Sequence, residues 1–162
     1  MRTRLLTGLL TGLMVCFVAV SLGQAEQPSD VEQAIKAAAD NYLEAFSNRD
    51  LEGCLNAFTK SKKTVLMGTG PGERWVGPKE IGEAHKEMFK LSEKESFERK
   101  WSLVSARRNV AWTASETVIT YMVDGEERKF LLHTTAVWVL REDKWQIAMM
   151  HCSNLTGPAA EQ

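Results

Sequence analysis

Apolar residues recur at helical spacing from residue 31: Val31, Ala34, Ile35, Ala38, Tyr42, Ala45 and Phe46. That spacing gives one long helix an apolar face that must be buried. Ser29-Asp30-Val31-Glu32 reads as its capping box: the Ser29 side chain caps, and Glu32 reaches back. Asn48-Arg49-Asp50 breaks the pattern and caps a second helix, in which Leu51, Cys54, Leu55 and Phe58 form the apolar stripe and Cys54 points inward. Gly77-Pro78 opens a third helix with proline at the first helical position. Its inner face is Ile81, Ala84, Met88 and Leu91, with His85 at the margin and expected on the surface.

The pattern then changes period. Short strands are predicted over 64–67 and 75–76, separated by Gly68-Thr69-Gly70-Pro71-Gly72. No Lys-Ser or Lys-Thr follows these glycines, so they make a tight connection and not a phosphate loop. Four longer strands are predicted over 97–105, 110–123, 128–141 and 144–153, with turns at Asp124-Gly125 and Glu142-Asp143.

Alternation sorts their residues into faces. Trp112, Ala114 and Glu116 share one face of the second long strand, and Thr113, Ser115 and Thr117 the other. On the third, His133, Thr135, Val137 and Val139 alternate with Thr134, Ala136, Trp138 and Leu140. On the last, Trp145, Ile147, Met149, His151 and Ser153 alternate with Gln146, Ala148, Met150 and Cys152. Both faces of that last strand are largely apolar, so it is expected to be central and covered twice. Long strands with short turns form a curving antiparallel meander. The fold class is therefore α+β: a cone-shaped barrel of a curved antiparallel sheet, packed by three N-terminal helices, with an internal pocket.

The start of the chain does not fit this pattern. Arg2 and Arg4 precede an apolar run over 5–22, and Gly23-Gln24-Ala25 puts small residues where a signal peptidase reads. Residues 1–25 are expected to be a secretory signal cut after Ala25, leaving a domain over 26–162 that is secreted or periplasmic. An uncleaved anchor is disfavoured by Gly8, Thr11 and Gly12 within the run. A lipid anchor at Cys16 is disfavoured by the branched Val15 before it. The mature chain of 137 residues (162 less 25) suits one domain with its own core. Removing Arg2 and Arg4 leaves 18 basic against 21 acidic residues, a net charge of −3. That is too weak to recruit nucleic acid or an anionic membrane, and no stable membrane insertion is expected after cleavage. Cys54 and Cys152 either bridge or sit as two small apolar residues. Asn154-Leu155-Thr156 is a glycosylation sequon, relevant only in a eukaryotic secretory pathway.

Three stretches carry a family resemblance: Ala45-Phe46-Ser47-Asn48-Arg49-Asp50-Leu51, then Glu73-Arg74-Trp75-Val76-Gly77-Pro78-Lys79-Glu80-Ile81, then Thr135 to Trp138 with Lys144 to Ser153. Together they resemble the nuclear transport factor 2-like superfamily, in its SnoaL-like branch. The closing His151-Cys152-Ser153 is similar to the end of the calcium/calmodulin-dependent kinase association domain. The resemblance implies the cone fold over nearly all of the mature chain. It leaves function open among isomerases, dehydratases, cyclases, transport factors and oligomerisation modules. Two positions that align with pocket arginines of the kinase domain hold Thr117 and Thr135 here, which argues against an anion gripped there.

Within that frame, Glu116 is a candidate proton shuttle if it faces the cavity, where burial would raise its pKa. His133 and His151 are candidate general acids or bases, as imidazoles that titrate near neutrality. Tyr42, Trp75, Trp112, Thr117, Thr135 and Ser153 are candidate ligand-binding residues. For each the alternative is an ordinary core or surface role. The three histidines lie on separate elements without paired spacing, so no metal is expected, and no cofactor is implied. Cys152 and His151 point to opposite faces of a strand, which counts against a Cys-His nucleophile. Two functions fit. In one, the pocket binds or transforms a small apolar molecule by acid–base chemistry of the isomerase, dehydratase or cyclase kind. In the other, the domain is a non-catalytic association module, a homodimer through the outer sheet face, with Ala136, Trp138, Ala148 and Met150 as candidate contacts.

Overall fold

The capping box closes as the sequence requires. In the computed structural model, which describes residues 29–91 and 95–154, the Ser29 hydroxyl accepts from the Glu32 N–H at 3.2 Å. The Glu32 carboxylate accepts from the Ser29 N–H, also at 3.2 Å. They start helix α1 (Asp30–Ser47). Arg49 turns the chain with φ 56°, and Asp50 caps α2 (Leu51–Ala57), its carboxylate accepting from the Gly53 N–H at 2.9 Å. Gly53 has to be small, because a Cβ there would lie 2.4 Å from that carboxylate. The third helix, α3 (Gly77–Met88), begins at Gly77 with φ 81°. The expected leader with Cys16, and Leu155 and Thr156 of the sequon, lie outside the described residues. Among the described residues no helix is long and apolar enough to cross a membrane.

Six strands follow the alternation: β1 (Val65–Met67), β2 (Arg74–Val76), β3 (Glu95–Arg107), β4 (Val110–Val123), β5 (Glu126–Arg141) and β6 (Lys144–Asn154). They form one sheet in the order β2-β1-β6-β5-β4-β3. Strands β3 to β6 are the expected antiparallel meander. The sheet is mixed, however, because β1 lies parallel to β6, and it is open at both edges rather than closed as a barrel. Asp124 and Gly125 both have positive φ, which matches the right-handed twist of a two-residue hairpin.

Two bulges decide which residues face inward. Arg99 pairs with Thr117 but Trp101 with Glu116, so Lys100 is extra. Val137 pairs with Met149 but Trp138 with Ile147, so Ala148 is extra. Each bulge inverts the alternation of its strand. On β6 it turns both Ile147 and Met150 into the core, three residues apart. That core also holds Ile35, Phe58, Ile81 and Trp138, between the helices and the inner sheet face. Among the described residues the outer face has no such cover.

Candidate functional site

Between the helices and the inner face lies a cavity of about 380 Å³. Its walls are mostly apolar: Phe46 from α1, Leu66 from β1, Ile119 from β4, Phe130 and Trp138 from β5, and Met150 from β6. Running across the sheet side are hydroxyls, from Thr113, Ser115 and Thr117 on β4 and Thr134 on β5. Thr113 is fixed by the Trp138 indole, whose N–H donates to the Thr113 oxygen at 3.0 Å. Such a chamber, apolar with a few placed polar groups, is how small-molecule sites are built.

The helix side adds a buried histidine and its half-buried tyrosine partner. His85 on α3 has no solvent exposure. Its Nδ1 lies 2.7 Å from the Ile81 carbonyl oxygen, and its Nε2 lies 3.0 Å from the Tyr42 hydroxyl. Burial lowers the His85 pKa, offset in part by the Ile81 hydrogen bond. Burial likewise raises that of Tyr42 well above the usual phenol range, with the Cys152, Cys54 and Glu95 charges adding to it. Both groups are thus held neutral.

Toward β1 the lining includes Glu73 and Cys152. The Glu73 carboxylate accepts from the Gly70 N–H at 2.8 Å. The Cys152 thiol lies 3.9 Å from the Thr134 hydroxyl. Burial pushes it up to about 11, against a smaller lowering by Thr134. Burial and the nearby Asp50 push Cys54 up to about 12. Both cysteines are free, and thiols pushed up by burial carry little thiolate near neutrality, which argues against a nucleophilic role.

Of the residues picked out from sequence, Tyr42 and Thr117 line this cavity. Trp75 packs against the core beside it. The other six share the opposite face. Cross-strand pairing sets them in rows: Trp101, Glu116, His133 and Ser153; then Leu103, Ala114, Thr135 and His151; then Trp112, Val137 and Met149. The expectation that Glu116 faces the cavity is therefore corrected. Its carboxylate lies 3.8 Å from the His133 Nε2 on the outer surface, with side chains 45% and 40% exposed. His151 is also exposed.

The reverse correction applies to the residues expected outside. Ala136, Trp138 and Met150 line the cavity, and Ala148 is the bulged residue of β6. Cys152 faces inward, and among the described residues nothing covers the outer side of β6, where Met149 and His151 are exposed, so this strand is not covered twice. The physical reason is that alternation gives two sets of residues but not which set is inside, and the bulges displace the sets relative to one another. His85, expected on the surface, is in the core, and Leu91, expected within the third helix, lies past its end and is 73% exposed.

Sequence reasoning missed His85 and Glu73. The signal for His85 was present, since Ile81, Ala84, His85 and Met88 make one apolar stripe at helical spacing. Nothing in the sequence signalled Glu73, whose place depends on how its loop folds back. Among the described residues no cluster of three or more His, Cys, Asp or Glu side chains could hold a metal ion.

The sequence model of the SnoaL-like domain family matches residues 35–157. No curated protein sequence matches the chain. Among solved structures, it is similar to a proposed calcium/calmodulin-dependent protein kinase II association domain from Xanthomonas campestris. That match has 19% identity and a TM-score of 0.70, covering 81% of this chain and 91% of the other. A proposed dehydratase of the NTF2-like family from Streptomyces avermitilis matches with 18% identity and a TM-score of 0.67, over 77% and 97%. A ketosteroid isomerase-like protein from Erwinia carotovora atroseptica matches with 25% identity and a TM-score of 0.61, over 77% and 96%.

Proposed function

The chain belongs to the SnoaL-like domain family, of the nuclear transport factor 2-like fold, and from that premise we propose that its cavity binds and transforms a small, largely apolar molecule. The observation that carries this reading is the chamber itself, about 380 Å³ with aromatic and aliphatic walls and a row of hydroxyls on one side. Its volume suits a compound of one to three rings. The isomerase-like and dehydratase-like names of two structural neighbours favour a reaction that moves protons between carbon and oxygen. Groups on the lining that can give or take a proton include the Tyr42 and Thr117 hydroxyls and the Glu73 carboxylate, the last as an acceptor. The reaction class implies no cofactor. Titration with N-phenyl-1-naphthylamine, a neutral apolar fluorophore, tests the cavity. Saturable fluorescence enhancement at one probe per chain is expected, and no enhancement up to probe solubility contradicts the reading.

A second reading concerns the outer face. Trp101, Leu103, Val110, Trp112 and Met149 are exposed large apolar side chains, and four of them fall in the adjoining cross-strand rows. Contiguous apolar surface of this kind marks contact sites. We read it as the surface on which a second copy of the chain docks, replacing the residues first expected there. Sedimentation of wild type and Trp112→Glu tests this: a dimer becoming a monomer is expected, and an unchanged state contradicts it. The leader over 1–25 makes the protein secreted or periplasmic in this account. Mass spectrometry of exported protein should find Glu26 as its first residue, and a retained leader on exported protein contradicts the cleavage.

A further inference from the structure

Tyr42, on the cavity wall, has its hydroxyl hydrogen already committed. The Ile81 carbonyl can only accept, so His85 Nδ1 carries the ring hydrogen at 2.7 Å from it. In a neutral imidazole the other nitrogen is then an acceptor. Nε2 faces the Tyr42 oxygen at 3.0 Å, so the phenol donates to the histidine. Edge-on contacts hold the phenol ring, to Phe46 at 6.2 Å, Phe58 at 5.6 Å and His85 at 5.9 Å between centroids. What Tyr42 has left for a ligand is lone-pair density: an acceptor, not a donor.

The polar group nearer β1 has the same character. Glu73 follows Gly68-Thr69-Gly70-Pro71-Gly72, and its loop folds around its own carboxylate. A Cβ at Gly68 would lie 2.1 Å from Glu73 Oε2, so glycine makes the seat. An ionised carboxylate only accepts. The hydroxyls of Thr117 and Ser115 rotate to suit either kind of partner and do not discriminate. Charge points the same way. Among the described lining residues Glu73 and Glu95 are acidic and Arg99 basic, and Arg99 is paired with Asp40 at 2.7 Å.

Building on the small-molecule reading above, we propose that the cavity selects molecules that present a hydroxyl or amine donor on an apolar frame and rejects carboxylates, with the Tyr42 oxygen and the Glu73 carboxylate reading the donor. A ligand whose only polar group is an acceptor leaves Tyr42 unmatched, and an anion meets the Glu73 carboxylate. Neither penalty needs a new contact; each follows from where the hydrogens and charges already sit.

The test is calorimetric titration of wild type with 2-naphthol, 2-methoxynaphthalene and 2-naphthoate at pH 7. These share one frame and differ in donor and charge. Naphthol is expected to bind roughly tenfold tighter than the methyl ether, with naphthoate weakest. Tyr42→Phe should bring naphthol down to the level of the ether. Glu73→Gln, on the exposed loop and away from the core, should strengthen naphthoate several-fold; it decides the point if Tyr42→Phe does not fold. An ether equal to or tighter than naphthol, or naphthoate tightest, overturns the proposal. Failure of all three compounds while N-phenyl-1-naphthylamine binds also overturns it, and leaves the cavity reading standing. Failure of all four overturns the cavity reading itself and this proposal with it.

Discussion

Trp138 and Trp112 lie on neighbouring strands of one sheet, on opposite faces. Trp138 is 2% exposed and spends its indole N–H on Thr113. Trp112 is 46% exposed and pairs across to Val137. The same alternation of the same strands thus builds two surfaces with different work. The inner one encloses a mostly apolar chamber with a few hydrogen-bonded polar groups. The outer one displays apolar side chains around a weak, half-exposed Glu116–His133 pair. The difference teaches that composition does not tell a cavity wall from a contact surface here. Both carry tryptophan, alanine and threonine; cover by the helices separates them.

The largest effect should come from the inner tryptophan. Trp138→Ala removes a fully buried ring and leaves a hole, destabilising by about 3–5 kcal/mol. Trp112→Ala, with half its surface in water, should cost the isolated chain far less, and urea unfolding at low protein concentration compares them. Equal losses would erase the distinction between the faces.

Filling the chamber is next. Ala136→Phe places a ring where Ala136 is 3% exposed on the lining. It should cost about 1–3 kcal/mol by overpacking and abolish N-phenyl-1-naphthylamine binding, read by fluorescence and by unfolding. Retained binding would move the ligand elsewhere.

Acid sharpens the contrast through His85. Its folded-state pKa is below the unfolded value of about 6.5. The unfolded chain therefore takes up the proton first. Stability is full above that unfolded pKa and declines as pH falls below it, levelling only once pH passes the folded pKa. The slope from this one group is at most about 1.4 kcal/mol per pH unit. His85→Gln should flatten this component in unfolding curves between pH 7 and pH 5. The smallest effect belongs to Glu116→Gln, within about 0.5 kcal/mol by the same assay, because a half-exposed pair is screened by water. A loss several times larger would mean that the outer face is covered in solution.

Most of the fold was legible before any coordinates. The Ser29 capping box, the Pro78 helix start and the Asp124-Gly125 turn each use local chemistry that has one good solution. The candidate site was legible only in halves. Trp112, Glu116, His133, Thr135, His151 and Ser153 do share a face, as alternation requires, but it is the outer one. Which face turns inward depends on long-range cover by α1 and α3, and the bulges at Lys100 and Ala148 leave no mark in a single sequence. Tyr42 was legible from its place on the apolar stripe of α1, and Thr117 from its alignment with a pocket position of the resembling domain. The parallel pairing of β1 with β6 joins segments some eighty residues apart, beyond any local signal.

The most direct test places the two faces side by side. N-phenyl-1-naphthylamine binding and sedimentation are measured together on wild type, Ala136→Phe and Trp112→Glu. The account predicts that Ala136→Phe loses the probe and keeps its association state, while Trp112→Glu keeps the probe and loses association. Probe binding that disappears with Trp112→Glu and survives Ala136→Phe would contradict it, and would put the ligand on the outer face.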